Sequence, residues 1–548
     1  MEKQNKLIQE NCLLQAIDKL GQGSKLLWII FILNIFVSIL WGINGLSYIF
    51  IAEIPEYCCS TPELENANWT MAQINKVSMV DDCQKSDYNY AYLVKLGYEN
   101  ATKYVNDLEI KPKIVSCTSF TFNTSKMSTI VNEWELVCDK KLHRASTLLV
   151  YAVGMTCGSG ILGTYADKYG RKNSLIIGIV LQIVAGLSSA FVPWFWAYII
   201  LKFLTGMSMG AVYSSAFTIL SEVSKDNLRK ILAAVLDCMS AVGTFCLVGM
   251  AYFIPDWRHL QMAISCFILP IVILIWFIPE SPRWLISQNR HDEAQKIIEK
   301  YYKSFVMTLD GIVEGPSNEP RLSLSENSEI LNKDHKNWFH RNSVSLRILF
   351  KNSDLRKKLL IMYVTNYVTA VAGFSLVLSI DNFKSDRYIY MSIVGCNEIL
   401  AHITVSVILI YFSCRHANIL AYTVAFILMI TILAVQKSKN IVIGLALAAK
   451  FCFSASYTAN LVLNSELFPS IVRNTAFGTS LVMAQIGTMT APYIVDLLGV
   501  VAWWAPTTLC SILALIAGFL CLIIPQKKQI QKSDTIADKQ TTVVGSNS

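Results

Sequence analysis

The sequence predicts an all-α membrane protein in which twelve spanning helices form two halves of six. Three observations carry this prediction: the composition is strongly apolar, uncharged runs long enough to cross a bilayer recur along the chain, and one long polar stretch divides these runs into two sets. Of the 548 residues, 53% are hydrophobic and only 16% are charged, whereas a soluble protein carries roughly 25% charged residues. The net charge of +8 is confined to a few loops between apolar runs, which does not favour nucleic-acid binding.

The first apolar run begins at Leu26 and continues to Ile51 without a charged residue. About 20 apolar residues in a helix cross the hydrocarbon core. The run is too long for a signal-peptide core and no small-residue cleavage site follows it, so we expect a retained first span. The remaining spans are predicted near 145–165, 173–193, 195–223, 229–253, 258–278, 359–380, 389–412, 417–435, 440–465, 474–498 and 502–524.

The distribution of lysine and arginine predicts that both termini are cytoplasmic. Basic loops at 167–172, 224–230 and 280–358 fall on one side, and the short loops on the other side carry almost no positive charge except Lys437 and Lys439. We therefore expect a plasma-membrane protein divided into a cytoplasmic N-terminus (1–25), helix 1 (26–51), an extracellular loop (52–143), helices 2–6 (144–279), a cytoplasmic loop (280–358), helices 7–12 (359–524) and a cytoplasmic tail (525–548).

The chemistry of the loop at 52–143 agrees with an extracellular location. Three N-glycosylation sequons begin at Asn68, Asn100 and Asn123, all within this loop. Five cysteines in an oxidising compartment predict two disulfides and one cysteine left over, with the connectivity open. These cysteines are Cys58, Cys59, Cys83, Cys117 and Cys138.

An internal repeat supports the division into halves. Several charged residues recur at an offset of 244 residues, the difference between positions 222 and 466: Glu222 and Arg229 correspond to Glu466 and Arg473, and Arg171 corresponds to Arg415. Duplicated halves are the architecture of many secondary transporters, in which the substrate binds near the midplane between the halves.

Several motifs resemble those of a known family. The segment 163–172 (GTYADKYGRK) is similar to the loop motif between helices 2 and 3 of the major facilitator superfamily, and 279–284 (PESPRW) is similar to the signature after helix 6 in sugar porters and organic ion transporters. The long loop with its sequons, the run 130–138 (IVNEWELVC) and the run 464–474 (NSELFPSIVRN) narrow the resemblance to the organic cation, anion and zwitterion (carnitine-type) transporter family.

This resemblance implies the major facilitator fold and a carrier for small organic ions that works by alternating access. In that family, cation transporters carry an aspartate in helix 11 where anion and carnitine-type members carry an arginine; this chain has the neutral Gln485 there. Glu398 matches a glutamate of the cation branch, and Asp237 falls where that branch has a neutral glutamine. We expect organic cations or zwitterionic amines as substrates; the alternatives are an organic anion transporter of the same family and a transport-inactive solute receptor.

The motif residues at the cytoplasmic ends of the spans are candidates for a gate. Ion pairs between the halves would hold one state and would have to break for the other to form. The alternative is static surface salt bridges worth ~0–1 kcal/mol each. The second copy of the motif, at 411–415, lacks the aspartate, so the gate is expected to be asymmetric. The gating candidates are Asp167, Arg171, Glu222, Arg229, Glu466 and Arg473.

Charged residues inside the spans indicate the substrate pathway, because each costs roughly 2.5–3.5 kcal/mol on insertion scales. Four such residues stand well inside the spans: Lys202, Asp237, Glu398 and Lys450. Together, Asp237 and Glu398 predict an anionic site for an amine; alternatively, either acid pairs with a lysine in the packed bundle. Aromatic faces attract ammonium groups, and the further candidate substrate-binding residues are Gln485, Tyr367, Tyr457 and Thr458.

Other classes of function find no support in the sequence. The P-loop motif for ATP is absent, and no metal-ligand cluster or nucleophile elbow is present. We therefore expect neither an enzyme nor a cofactor or metal site. The expected partners are the lipid bilayer and a small organic ion, with no nucleic acid and no obligate protein partner.

Overall fold

The computed structural model describes most of the chain between residues 23 and 524. The described ranges are 23–107, 112–123, 127–301, 349–380, 386–435, 438–468, 470–499 and 504–524, with the isolated residues 13, 16, 17, 347 and 502. Most of the predicted cytoplasmic loop (302–346 and 348) and the predicted cytoplasmic tail (525–548) lie outside the described residues.

Twelve helices long and apolar enough to cross a membrane are present in the described part of the chain, as predicted. They are α1 (Lys25–Leu46, continued by Tyr48–Ile51), α2 (Lys141–Tyr169), α3 (Arg171–Ser188), α4 (Phe195–Val223), α5 (Asp226–Phe253), α6 (Trp257–Cys266 and Leu269–Ile275), α7 (Ser353–Leu378), α8 (Arg387–Tyr411), α9 (Cys414–Ala434), α10 (Lys439–Leu467), α11 (Ser470–Tyr493, continued by a π-helical turn at Ile494–Leu498) and α12 (Ala505–Ile523).

The helices pack as two equivalent halves. In the first half α1 packs against α5 and α2 against α4; in the second half the corresponding pairs are α7 with α11 and α8 with α10. The two extensive contacts between the halves, α5 with α8 and α2 with α11, are also equivalent under this exchange. The repeat read from the charged residues therefore corresponds to a repeat in helix packing.

Glycines bring α2 and α4 together closely enough for their backbones to touch. A Cβ atom on Gly158 of α2 would lie 1.9 Å from the Met207 carbonyl oxygen, and one on Gly206 of α4 would lie 2.1 Å from that of Tyr151. In a membrane, small residues at helix interfaces permit the close packing that stabilises helix association. Gly206 and Gly210, four residues apart on α4, thus permit the close packing of α4 against α2.

The segment between α1 and α2 folds into a small α/β unit, which we call the loop domain (52–140). It contains helices Pro62–Asn66, Met71–Ser78, Tyr90–Asp107 and Ile130–Trp134 and the strands β1 (Tyr57–Cys59), β2 (Met79–Asp81), β3 (Gln84–Ser86), β4 (Ile114–Ser116) and β5 (Phe120–Phe122). β1 pairs with β5, and β2, β3 and β4 form a second antiparallel sheet.

Two disulfides cross-link the loop domain, as the cysteine count predicts. They join Cys59 to Cys117 and Cys83 to Cys138. Cys58 is the cysteine left over, and its thiol is buried in the core of the domain. Asn68 and Asn100 are exposed and Asn123 is half-buried, so the first two sequons are open to solvent.

Several spans differ from their predicted bounds by a few residues, and two of these differences have a clear local cause. α3 begins at Arg171 rather than near 173, because Gly170 ends α2 with a backbone φ of +110° that favours glycine. α6 consists of two helices, the second of which has Pro270 in its first turn. Pro lacks the amide proton that would continue a helix, so it is found where a helix starts.

Candidate functional site

Asp237 lies on α5 and is half-buried, with aromatic side chains around it. The phenols of Tyr213 on α4 and Tyr457 on α10 lie within electrostatic range of its carboxylate. The indole of Trp41 on α1 packs on Tyr213 with ring centroids 4.4 Å apart. Within the described part of the chain, the Asp237 carboxylate has neither a hydrogen bond nor an ion pair.

The position of Tyr457 places this acid where the two halves face each other. Tyr457 belongs to the second half, whereas Asp237 and Tyr213 belong to the first. Tyr457 as a whole residue remains 36% exposed, so packing does not enclose it fully. An acid, two phenols and an indole from both halves thus line one polar centre.

Glu398 on α8 is paired with Lys450 on α10. Its Oε1 lies 3.0 Å from the Lys450 Nζ, and the two side chains are 19% and 12% exposed. The sequence left two alternatives for these acids: an anionic site for an amine, or pairing with a lysine. Glu398 is paired with a lysine, whereas Asp237 has no such partner among the described residues. The joint site of two free acids is not what the structure presents.

The other predicted site residues lie on helices of the second half. Thr458 is hydrogen-bonded to the Nδ1 of His402 on α8 at 2.7 Å. The Tyr367 hydroxyl of α7 is 3.2 Å from that of Thr490 on α11. Gln485 is half-buried on the same helix α11. His402 is an addition to the predicted set, on the same helix face as Glu398.

Lys202 of α4 is hydrogen-bonded within the first half. Its Nζ donates to the Oε1 of Gln261 on α6 at 2.8 Å and lies 5.5 Å from the centre of the Tyr198 ring. Together with Asn44 and Tyr48, it lines a small cavity beside the loop domain. Lys202 therefore contributes to packing within the first half.

Within the described residues, two ion pairs connect the halves at the end of the bundle that carries the loop domain, which we call the loop-domain end. Arg144 of α2 lies 3.7 Å from Asp496 in the π-helical turn after α11, with side chains 6% and 10% exposed. Arg387 at the start of α8 lies 3.2 Å from Glu53 after α1 and donates to the Ile49 carbonyl. These four residues were not predicted from the sequence. The feature that could have indicated them is a charged residue near the edge of an apolar span.

At the opposite end, the ion pairs of Arg171 stay within the first half. Its guanidinium is 2.9 Å from Asp167 of α2 and 3.0 Å from Glu222 of α4, and it donates to the Ala166 carbonyl. The expectation that these motif residues pair across the halves is not met in this conformation among the described residues. They hold α2, α3 and α4 together instead.

Glu280 completes this network from the end of the first half. Its carboxylate accepts the backbone amides of Arg171 at 2.9 Å and Lys172 at 3.1 Å, at the N-terminus of α3. A carboxylate is favourable there because helix N-termini carry unpaired amides and partial positive charge. Trp284 donates its indole NH to the Asp167 carbonyl. Glu280 and Trp284 both belong to the motif at 279–284. Their roles could not be predicted, because they depend on contacts with residues more than 100 positions away in the sequence.

The remaining gating candidates belong to both halves. In the first half, Arg229 donates to the Ser224 carbonyl at 2.9 Å. In the second half, the Arg415 guanidinium, the counterpart of Arg171, donates to the Leu522 carbonyl of α12 at 2.6 Å. Glu466 is half-buried, and the side chain of Arg473 lies outside the described residues. No group of residues in the described chain has the composition of a metal site.

A polar centre between two equivalent six-helix halves is the architecture of a secondary membrane transporter. The sequence model of one such family, the Sugar (and other) transporter family, matches residues 114–534. The chain belongs to this family, within the major facilitator superfamily.

Similar proteins cover almost the whole chain. It is 27% identical to the organic cation transporter protein of Drosophila melanogaster, over 95% of this chain and 93% of that protein. It is 29% identical to the mouse (Mus musculus) organic cation/carnitine transporter 2, over 92% and 89%. It is 28% identical to the organic anion transporter 3 of Oryctolagus cuniculus, over 91% and 88%. The resemblance read from the motifs is thereby confirmed.

Solved structures confirm the fold. The crystal structure of a D-xylose-proton symporter matches with a TM-score of 0.60 at 13% identity, covering 92% of this chain and 99% of that chain. An inward-open xylose transporter XylE from E. coli matches with a TM-score of 0.57 at 14% identity, covering 91% and 96%. The chain is thus a major facilitator transporter, homologous to carriers of organic ions, and its homologues are not enzymes.

Proposed function

We propose that the chain is an alternating-access carrier of small organic cations or zwitterionic amines in the plasma membrane, and that Asp237 receives the positive charge of the substrate. The observation that carries the proposal is the half-buried Asp237 carboxylate, which lies within electrostatic range of Tyr213 and Tyr457 and has no ion pair or hydrogen bond within the part of the chain that the structure describes.

Physical chemistry favours an ammonium group at this place. An ionised carboxylate removed from water is unfavourable unless a partner offsets the loss of hydration. A substrate cation supplies that partner, and a contact with an aromatic face adds ~0.5–1 kcal/mol when exposed and ~2 kcal/mol when desolvated. The neutral Gln485 adds no positive charge that would oppose a cation.

The similar proteins leave the sign of the substrate charge open, since they include cation, carnitine and anion transporters. The test is uptake of radiolabelled organic cations, carnitine-like zwitterions and organic anions into cells that express the chain. Saturable accumulation of amines supports the proposal. A preference for anions that Asp237→Asn leaves unchanged contradicts it, and binding without accumulation identifies a solute receptor.

The placement of the ion pairs supports alternating access. The Arg144–Asp496 and Arg387–Glu53 pairs connect the halves at the loop-domain end, whereas the Arg171 pairs lie within one half. If the loop domain is extracellular, as the sequons and basic loops predict, this conformation is closed toward the outside. Loading from outside then requires both pairs between the halves to separate.

The first prediction tests this orientation. Enzymatic deglycosylation is expected to lower the apparent mass of the protein, and replacing Asn68, Asn100 and Asn123 with glutamine is expected to abolish the shift. Antibody against an epitope inserted in the loop domain is expected to bind intact cells. Binding only after permeabilisation would contradict the topology.

The second prediction concerns the network at the opposite end. Asp167→Asn and Arg171→Ala are expected to lower the maximal uptake rate by about tenfold, equivalent to ~1.4 kcal/mol, with little change in the half-saturation constant. The reason is that Arg171 contacts α2 and α4 rather than the polar centre. Rates are measured per protein at the cell surface, with the exposed Arg290→Ala as the control. A normal rate with a raised half-saturation constant would refute the assignment.

A further inference from the structure

The end of α1 forms a receptor for a cation, and Arg387 of the second half occupies it in this conformation. The Arg387 Nε lies 3.2 Å from the Glu53 carboxylate, and the guanidinium also donates to the Ile49 carbonyl. The last carbonyls of a helix lack partners within the helix and carry partial negative charge. A carboxylate and a helix-end carbonyl therefore converge on one positive charge, in hydrogen bonds of the stronger, charge-assisted kind.

Aromatic rings lie beside this contact. The ring of Tyr388, the residue after Arg387 on α8, stacks on Phe50 of α1 with ring centroids 5.7 Å apart. It also packs edge-on against Tyr252 at the end of α5, with centroids 5.6 Å apart. Glu53 lies within electrostatic range of the Tyr388 hydroxyl. The receptor thus combines a carboxylate with aromatic rings, the two kinds of group that attract an organic cation.

Separation of the halves uncovers this receptor. Arg387 and Tyr388 belong to the second half, whereas the residues that they contact here belong to the first. The halves move largely as rigid bodies in alternating access. Opening at the loop-domain end therefore withdraws Arg387 and Tyr388 and turns the receptor toward the opening. The residues of the receptor, which we call the outer site, are Ile49, Phe50, Glu53 and Tyr252.

We propose that the outer site binds the organic cation before it reaches Asp237, and that Arg387 displaces the cation when the halves close at the loop-domain end. This inference rests on the proposed function, since it presupposes a substrate with a positive charge. A carboxylate attracts that charge strongly where water is partly excluded. Because the substrate and Arg387 compete for one carboxylate, closure releases the substrate toward the polar centre instead of holding it at the mouth.

Two substitutions break the same ion pair but differ in the outer site. Arg387→Gln keeps the Glu53 carboxylate, whereas Glu53→Gln removes it. Both remove the attraction that closes the loop-domain end, so a role in closure alone predicts equal half-saturation constants for external methylphenylpyridinium. The outer site predicts a half-saturation constant at least about tenfold higher in Glu53→Gln than in Arg387→Gln. The measurement is initial uptake against concentration, normalised to surface protein.

Asp386→Asn is the matched control for loss of a negative charge at this place. Asp386 is exposed, lies within electrostatic range of the Tyr388 hydroxyl and caps α8 by accepting the Ile389 amide. Asparagine caps a helix equally well. The half-saturation constant is expected to stay within about twofold of the wild type. A rise as large as that in Glu53→Gln would show that any lost negative charge at the mouth weakens uptake, and it would overturn the outer site.

The double variant Arg387→Gln/Glu53→Gln covers failure of Glu53→Gln to fold, because it removes both charges of the pair. Its half-saturation constant is expected to exceed that of Arg387→Gln by the same factor of at least about tenfold. Equal constants in these two variants overturn the outer site. If the wild type does not accumulate methylphenylpyridinium, the proposed function fails together with this inference, and that outcome is distinct from equal constants in variants that transport the probe.

Discussion

Replacing Asp237 with asparagine is expected to raise the half-saturation constant for organic cations by about 30-fold or more, equivalent to ~2 kcal/mol. The substitution keeps the shape of the side chain and removes the charge, so it deletes the attraction to an ammonium group while the surrounding Tyr213 and Tyr457 remain. The measurement is initial uptake against substrate concentration, normalised to surface protein.

Two further variants separate binding from folding. Asp237→Glu is expected to retain part of the cation affinity, because the charge remains but its position shifts by one methylene. Asp354→Asn removes an exposed acid at the start of α7, paired with Lys358, and is expected to have no effect on affinity. If Asp237 served only packing, Asp237→Asn would lower the amount of protein at the surface while the half-saturation constant stayed normal.

The fold was predictable because the bilayer constrains helices strongly. Backbone groups in hydrocarbon must be satisfied within the helix, so each span appears in the sequence as an uncharged run of sufficient length. The helix ends were less predictable. α3 starts at Arg171 because Gly170 changes the backbone direction and Glu280, 109 residues further along the chain, caps the helix. A local window contains no information about such a distant partner.

The candidate site was predictable only in its residues and not in their pairing. The cost of charge in a membrane selected Asp237, Glu398 and Lys450, but it does not say which acid a lysine meets. That depends on the packing of α8 against α10. Similarly, the Arg144–Asp496 pair requires α2 to meet α11, and a single sequence gives no measure of that contact.

Breaking the buried pair at the loop-domain end is expected to reduce the maximal uptake rate by about 100-fold, equivalent to ~2.7 kcal/mol. Removing one partner of a buried ion pair costs about 3–5 kcal/mol, because the other charge is left uncompensated. In Arg144→Gln this cost falls on the conformation that buries Asp496, in which the halves meet at this end. The conformation open at the loop-domain end is then favoured, and the return step becomes slow.

A cysteine reporter distinguishes this shift from misfolding. With Tyr457→Cys as background, a membrane-impermeant thiol reagent added outside is expected to label the Arg144→Gln protein faster than its parent, since the centre opens outward. The charge swap Arg144→Asp/Asp496→Arg is expected to restore part of the uptake rate. A swap no better than either single change, with labelling unchanged, would show that the pair acts in folding alone.

The second ion pair between the halves, Arg387–Glu53, is more exposed than the Arg144–Asp496 pair, so the effects of breaking the two pairs can be compared. Arg387 and Glu53 are 12% and 26% exposed, so water compensates Glu53 more than it compensates Asp496. Ion pairs that remain hydrated contribute less than buried ones. Arg387→Gln is therefore expected to slow uptake in the same direction as Arg144→Gln but by a smaller factor. Equal effects of the two substitutions would mean that burial does not determine how much each pair stabilises the conformation closed at the loop-domain end. A larger effect of Arg387→Gln would mean that the contact between α8 and the end of α1 stabilises this conformation more than the contact between α2 and α11 does.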